Sequence, residues 1–255
     1  MKALVLTSDS LRHRYFAQAI ARLFEVPYVL SEAKKNYYVP QREQSLLVRE
    51  HFDNIAAAEK SWFSAAANFN GAEHRHVPDI NSEALIIEAV ENKFDVLCLF
   101  GTAILGQSWL EAFKNKIVNL HLGLSPFYRG SATLFWPFVN RELQYLGTTI
   151  HLATTKVDAG SIITRIDADL RPNENYYAIT SRLIRDSIDR FPSTAFDYLT
   201  GKLAAKPQEA IAGKLYRKKD FSKEALVAAL AYVGEGLSPS ELNRIEAFRA
   251  CRYSQ

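Results

Sequence analysis

The sequence predicts an α/β chain built on a mostly parallel sheet with helices on both faces, and three observations lead to that class. Lys2 to Thr7 is a short apolar run that passes straight into a helical repeat, a β-α start. Asp95 to Phe100, DVLCLF, is apolar without alternation, which marks a central parallel strand covered on both faces. Ile117 to Gly130, IVNLHLGLSPFYRG, joins a further buried strand to a polar tip and a proline-stiffened loop.

At 255 residues the chain can bury a full core. Its 31 Lys and Arg against 28 Asp and Glu give a formal charge of +3, too mild for a nucleic-acid binder but leaving room for a local phosphate pocket. Cys98 lies in an apolar run and Cys251 near the end, so free thiols are expected rather than a disulfide, which fits a reducing cytoplasm. The opening MKALVLTSDS turns polar after a few residues and reads as a strand rather than a signal peptide. No later run could span a bilayer.

Taken in order, Ser8 or Ser10 can cap a first helix with an apolar face of Leu11, Tyr15, Ala19, Ile20 and Leu23. Arg12, His13 and Arg14 fall in its first turn, where the dipole favours an anion; a solvated basic face is the other reading. There is no G-x-G-x-x-G. Val26 to Leu30 is a second strand, and Lys34 and Lys35 lie in a polar connection. Aromatic and apolar residues recur at helical spacing from about Gln44 to Phe69, with Asn70-Gly71 as the stop; that stripe is expected in the core. His74 and His76 share a face of a short strand, but no third ligand accompanies them, so no metal is expected.

A helix from Ser82 to Val90 leads into DVLCLF. The next loop, GTAILGQS, imitates a phosphate-binding loop but carries Gln107 where that motif needs lysine; it reads as a backbone ledge before a capping box of Ser108 and Glu111. Asn119 and His121 then project from one strand face at its carboxyl end, where ligands of open α/β sheets bind. Ser125 is no nucleophile elbow, since G-x-S-x-G would need glycine at Phe127. A helix is expected at about Ala132 to Asn140. Leu146 to Leu152 alternates as a strand that pairs with Ser161 to Ile166, which leaves Asp158 at a loop tip beside Gly160. A long helix beyond Pro172 is expected to be interrupted at Pro192 and stopped at Gly201. The tail offers a short strand, Lys214 to Arg217, a helix after Ser222 and a capping box, Ser238 to Glu241, that opens a last helix.

Three motifs now stand in order: Asn119-Leu120-His121, then Leu124-Ser125-Pro126-Phe127-Tyr128-Arg129-Gly130, then Val157-Asp158-Ala159-Gly160. Together they resemble the active site of the folate-dependent formyltransferase family, with its N-x-H strand, S-L-L-P-x-Y-R-G loop and D-x-G turn. Gly123 stands at the loop's usual Ser and Ser125 at a usual Leu. The resemblance implies a Rossmann-like fold, with a catalytic domain over 1–200 and a helix-rich extension over 201–255. It also implies that 10-formyltetrahydrofolate gives its formyl group to a primary amine. Asn119 would meet the developing oxyanion, His121 would share that role or move the proton, and Asp158 would orient and charge the imidazole. The donor pocket would be formed by Phe100, Gly101, Thr102, Ile104, Leu105 and Val157. Ser125 and Arg129 would face the acceptor or, for Arg129, support the loop.

The resemblance also bears on which amine is used. A tRNA acceptor usually comes with a carboxyl-terminal β-barrel, the glycinamide ribonucleotide enzymes with a glycine-rich phosphate loop, and the formyl-folate hydrolases with a preceding regulatory domain. By elimination the expected acceptor is a nucleotide-linked amino sugar of surface polysaccharide synthesis, its diphosphate held by Arg12, His13 or Arg14. The alternatives are a formyl-folate hydrolase, a formyltransferase on another amine, and a binding module without turnover. No nucleic-acid or membrane partner is expected, and dimerisation is left open.

Overall fold

The computed structural model describes residues 1–32, 45–69, 71–211, 213–234 and 236–253. Lys34, Lys35, Gln44 and Asn70 lie outside the described residues. The first strand, β1 (Ala3–Thr7), is fully buried and runs into α1 (Leu11–Ala21); β2 (Tyr28–Ser31) follows, then α2 (Leu46–Phe63) and β3 (Glu73–His76). Next come α3 (Glu83–Glu91), β4 (Val96–Phe100), α4 (Gln107–Ala112) and β5 (Ile117–His121). These five strands pair in parallel in the order β3-β2-β1-β4-β5.

A short strand, β6 (Tyr128–Gly130), and a single helical turn, α5 (Trp136–Val139), lead to the hairpin of β7 (Gly147–Leu152) and β8 (Ile162–Asp167). The hairpin adds to the sheet antiparallel, completing seven strands in the order β3-β2-β1-β4-β5-β7-β8. The long helix α6 (Tyr176–Leu199) packs back on α1, α2 and the sheet. Alternation along the strands splits the core in two. Val5, Cys98, Val118 and Leu120 meet Phe16, Ile188 and Phe191 on one face, and Leu4, Leu97, Leu99 and Ile117 meet Ile86 and Trp109 on the other.

The tail is built into this body. β9 (Lys214–Tyr216) pairs in parallel with β6, and α7 (Lys223–Gly234) packs on α5 and α2. The last helix, α8 (Pro239–Tyr253), begins with the expected capping box: Glu241 accepts from the Ser238 N–H at 3.1 Å and donates its own N–H to Ser238 Oγ at 3.3 Å. Arg249 of α8 donates to the carbonyls of Leu143 and Ala168 at 2.8 and 2.7 Å. Cys98 and Cys251 are free, and no described helix is long and apolar enough to cross a membrane.

Several sequence expectations are corrected. Helix α2 ends at Phe63, before the expected stop, because the chain turns there to bury Ala66 and Phe69. Helix α4 starts after Gly106, whose N–H donates to Asn81 Oδ1 at 2.7 Å, so Ser108 and Glu111 lie inside it and form no capping box. The helix expected at about Ala132 to Asn140 shrinks to α5. Pro192 does not interrupt α6, since the burial of Ile188, Phe191 and Ala195 around it outweighs one lost N–H donor. Leu23, expected on the apolar face of α1, is 44% exposed beyond that helix's end.

Candidate active site

The site forms at the carboxyl end of β5. Asn119 is half-buried there and His121 buried, on the strand face that carries Ile117. Antiparallel β7 sets His151 opposite Asn119 and Thr149 opposite His121, so a third polar group joins the pair. Asn119 Nδ2 donates to His151 Nε2 at 3.0 Å, and His151 Nδ1 donates to the Leu152 carbonyl at 2.8 Å. A carbonyl only accepts, so the His151 proton is assigned to Nδ1, and Nε2 receives the amide. The second hydrogen of the Asn119 amide remains for a ligand.

The connection between β7 and β8 delivers Asp158, at φ 50°, a left-handed conformation that aspartate tolerates. Its Oδ1 lies 3.3 Å from His121 Nδ1 and 3.8 Å from His151 Nε2, while Oδ2 accepts the Gly130 N–H at 2.9 Å. Gly160 closes the turn, where a Cβ would stand 1.7 Å from the Leu152 carbonyl oxygen. On its other side His121 Nε2 donates to the Tyr128 carbonyl at 3.0 Å. Gly123 permits that contact, since a Cβ there would sit 2.4 Å from Nε2.

Burial alone would raise the Asp158 carboxyl, but the two imidazoles and the Gly130 N–H outweigh it and hold the group down at about 2. The carboxylate therefore stays ionised beside His121 Nδ1. Burial in turn pulls His121 below its ordinary range, against the Asp158 carboxylate and the Tyr128 carbonyl, which favour the charged ring.

Two hollows meet at this cluster. A cavity of about 1670 Å³ is lined by Asn119, His121, Gly130 and Asp158. It exceeds the roughly 300–1,000 Å³ of a pocket for one small ligand. A recess of about 130 Å³ with apolar walls of Leu99, Leu105, Leu110 and Ala153 lies beside it. Both include Gly101, Thr102, Ile104, Asn119, Val157 and Asp158. The ledge between them is pinned: Ala103 donates its N–H to Glu32 at 3.1 Å, and Asn81 Nδ2 donates to the Ile104 carbonyl at 3.1 Å. Among the described residues, no group of three or more His, Cys, Asp and Glu could hold a metal ion.

The family described as Formyl transferase matches residues 46–194, more than half of the chain. The chain belongs to that family. A methionyl-tRNA formyltransferase of Listeria monocytogenes is 30% identical over 129 residues, covering 51% of this chain and 41% of that protein, so the chain spans less than half the length of that relative. A sugar N-formyltransferase from a Shewanella species shares the fold at a TM-score of 0.60 and 15% identity, over 91% of this chain and 87% of that one. The formyltransferase PseJ of Anoxybacillus kamchatkensis, solved with UDP-4,6-dideoxy-4-formamido-L-AltNAc and tetrahydrofolate, aligns at a TM-score of 0.50 and 19% identity, over 86% and 87% of the two chains.

Within this formyl transferase chain the residues expected to catalyse, Asn119, His121 and Asp158, are in one cluster. The six expected on the donor side line the hollows, Phe100 the cavity, Leu105 the recess and the other four both. The expected acceptor set is divided between the cavity wall and other places. Arg12 lines the cavity but pairs with Glu59 at 2.9 Å, and His13 is buried against Phe100 with Nδ1 2.6 Å from Ser10 Oγ. Arg14 lines neither hollow, because Asp9 at 2.7 Å and the Ala67 carbonyl at 2.6 Å hold it outside. Ser125 is fully buried and braces the loop: its N–H donates to Thr149 Oγ1 at 2.9 Å and its carbonyl accepts from Arg165 Nε at 2.8 Å. Arg129 also lies outside the residues that line either hollow, which favours its loop-supporting reading.

Sequence reasoning passed over His151, although its place opposite the apolar face of an alternating run was a usable signal. It also passed over His51, Tyr177 and the basic run Arg217 to Lys219, which line the cavity from distant elements.

Proposed function

We propose that this chain transfers a formyl group from 10-formyltetrahydrofolate to the primary amine of a nucleotide-linked amino sugar. The observation that carries this is the meeting of a narrow recess and a large cavity at Asn119 and Asp158, one hollow for each substrate. The pinned ledge of Gly101 to Ile104, with Leu105 and Val157, fits a flat pterin ring, and the bound folate supplies a formyl carbon on a departing nitrogen.

Around that carbon the chain's own groups have separate tasks. Asn119 directs its free amide hydrogen at the oxygen that gains negative charge under amine attack, and its bond to His151 fixes the amide's direction. Both nitrogens of His121 are engaged, Nε2 by the Tyr128 carbonyl and Nδ1 by Asp158. The ring is therefore held in one orientation beside Asn119. Asp158, anionic across the physiological range, holds the His121 imidazole in place. The proton shed by the acceptor amine balances the one taken up by the departing nitrogen.

The test mixes the purified protein with 10-formyltetrahydrofolate and a panel of UDP-, dTDP- and GDP-linked amino sugars, and follows the mass gain of one formyl group. Silence across the panel removes the acceptor. Disappearance of formyl-folate without any amine would instead indicate a hydrolase on the same site.

A further inference from the structure

The cavity has an uneven charge that the acceptor reading above does not use. At the end near α1 its one lining arginine, Arg12, is neutralised by Glu59. Elsewhere Arg217, Lys218 and Lys219 line the wall in succession, directly after β9. Among the described residues no ion pair neutralises Arg217 or Lys219. Asp220 is the carboxylate nearest in sequence, and its Oδ2 is occupied by the Arg217 backbone N–H at 2.6 Å.

The run is also held rigidly against the catalytic loop. β9 pairs residue for residue with β6, Tyr216 opposite Gly130, and Gly130 gives its N–H to Asp158. Tyr216 is stacked on Trp136 at 4.2 Å between centroids, and its hydroxyl accepts from Asn140 Nδ2 at 2.7 Å. Beside the cations, His51, Tyr177 and Phe221 supply flat apolar faces to the same wall. Consecutive cations next to aromatic faces suit a phosphorylated nucleoside.

We propose that Arg217 and Lys219 bind the diphosphate of the acceptor, and that the pairing of β9 with β6 sets the distance from that diphosphate to Asp158. This rests on the nucleotide-linked acceptor proposed above. It also transfers to the carboxyl-terminal segment the role that the sequence suggested for Arg12 to Arg14.

Calorimetry on the full chain tests it, with UDP, dTDP and GDP as nucleotide probes and 5-formyltetrahydrofolate as a probe of the donor recess. The expected result is that at least one nucleotide binds and that Arg217→Ala/Lys219→Ala weakens it about tenfold or more. The conservative Arg217→Lys/Lys219→Arg stays within a few-fold of the parent, Arg14→Ala leaves the affinity unchanged, and 5-formyltetrahydrofolate binds all variants alike. Equal nucleotide affinity in the parent and the double alanine variant overturns the clamp and leaves a nucleotide-linked acceptor standing. Equal loss in the alanine and the charge-preserving variants also overturns it. If the folate binds and no nucleotide does, the clamp and the acceptor assignment fall together while formyl transfer remains.

Discussion

Asn119 is the residue whose chemistry is most isolated from its structural role. Its amide is half-buried and, among the described residues, bonds to His151 alone, so Asn119→Ala should fold normally. Loss of an oxyanion donor costs roughly a hundred- to a thousand-fold in rate, so kcat should fall by that factor with little change in acceptor KM. A steady-state comparison that finds KM altered and kcat intact would assign Asn119 to binding instead. Asp158 acts through His121. Because the carboxylate is what favours the charged ring, Asp158→Asn should lower the His121 pKa further. Proton chemical shifts of the His121 ring, titrated in both proteins, check this, and an unchanged or raised value refutes the assignment.

At the scale of elements, the site depends on close approaches that only particular residues allow. Gly123→Ser puts a side chain where His121 Nε2 now lies 2.4 Å from a built Cβ, so the ring should leave the Tyr128 carbonyl. A crystal structure of the variant with His121 still on that carbonyl would contradict this reading. How far such features could be read in advance divides along the same line. β1 and β4 were legible because burial on both sides leaves a continuous apolar run, and the hairpin because alternation has a strict period of two. The polar pair on β5 was legible from its spacing, and Asp158 became a candidate through its motif. His151 could be noticed from the alternation of β7, but its meeting with Asn119 depends on the register of β7 against β5, which no local pattern records. Arg217 to Lys219 were hidden for the same reason, through β6 and β9. The end of α2, the start of α4 and the continuity of α6 past Pro192 were misread because packing prevailed over local propensity.

At the scale of the whole molecule, we propose that 201–255 folds cooperatively with the formyl transferase core and stabilises it rather than hanging from it. Leu226 of α7 is fully buried in the main core, so Leu226→Ala should cost about 2–5 kcal/mol in urea unfolding; a loss near zero would mean the tail unfolds by itself. Acid stability should fall in two separate windows. Burial pulls His51 down to about 4, so the unfolded chain takes up a proton near pH 6.5 that the folded chain refuses until about 4. Stability from this group is complete above pH 6.5 and falls by roughly 1.4 kcal/mol per pH unit toward 4. Asp158 contributes above its ordinary 3.8, and that contribution is lost as the pH falls through about 2. His51→Phe should therefore remove about 2 kcal/mol of the difference between urea unfolding at pH 6.5 and pH 5, and an undiminished difference would place the sensitivity elsewhere. Above all these stands the convergence of Asn119, His121 and Asp158 where the two hollows join. Its most direct test is mass spectrometry of amino-sugar nucleotides incubated with 10-formyltetrahydrofolate and either the parent protein or Asp158→Asn. The parent should give a formylated product and the variant at least a hundredfold less; equal formylation by both would contradict a role for this cluster in the transfer.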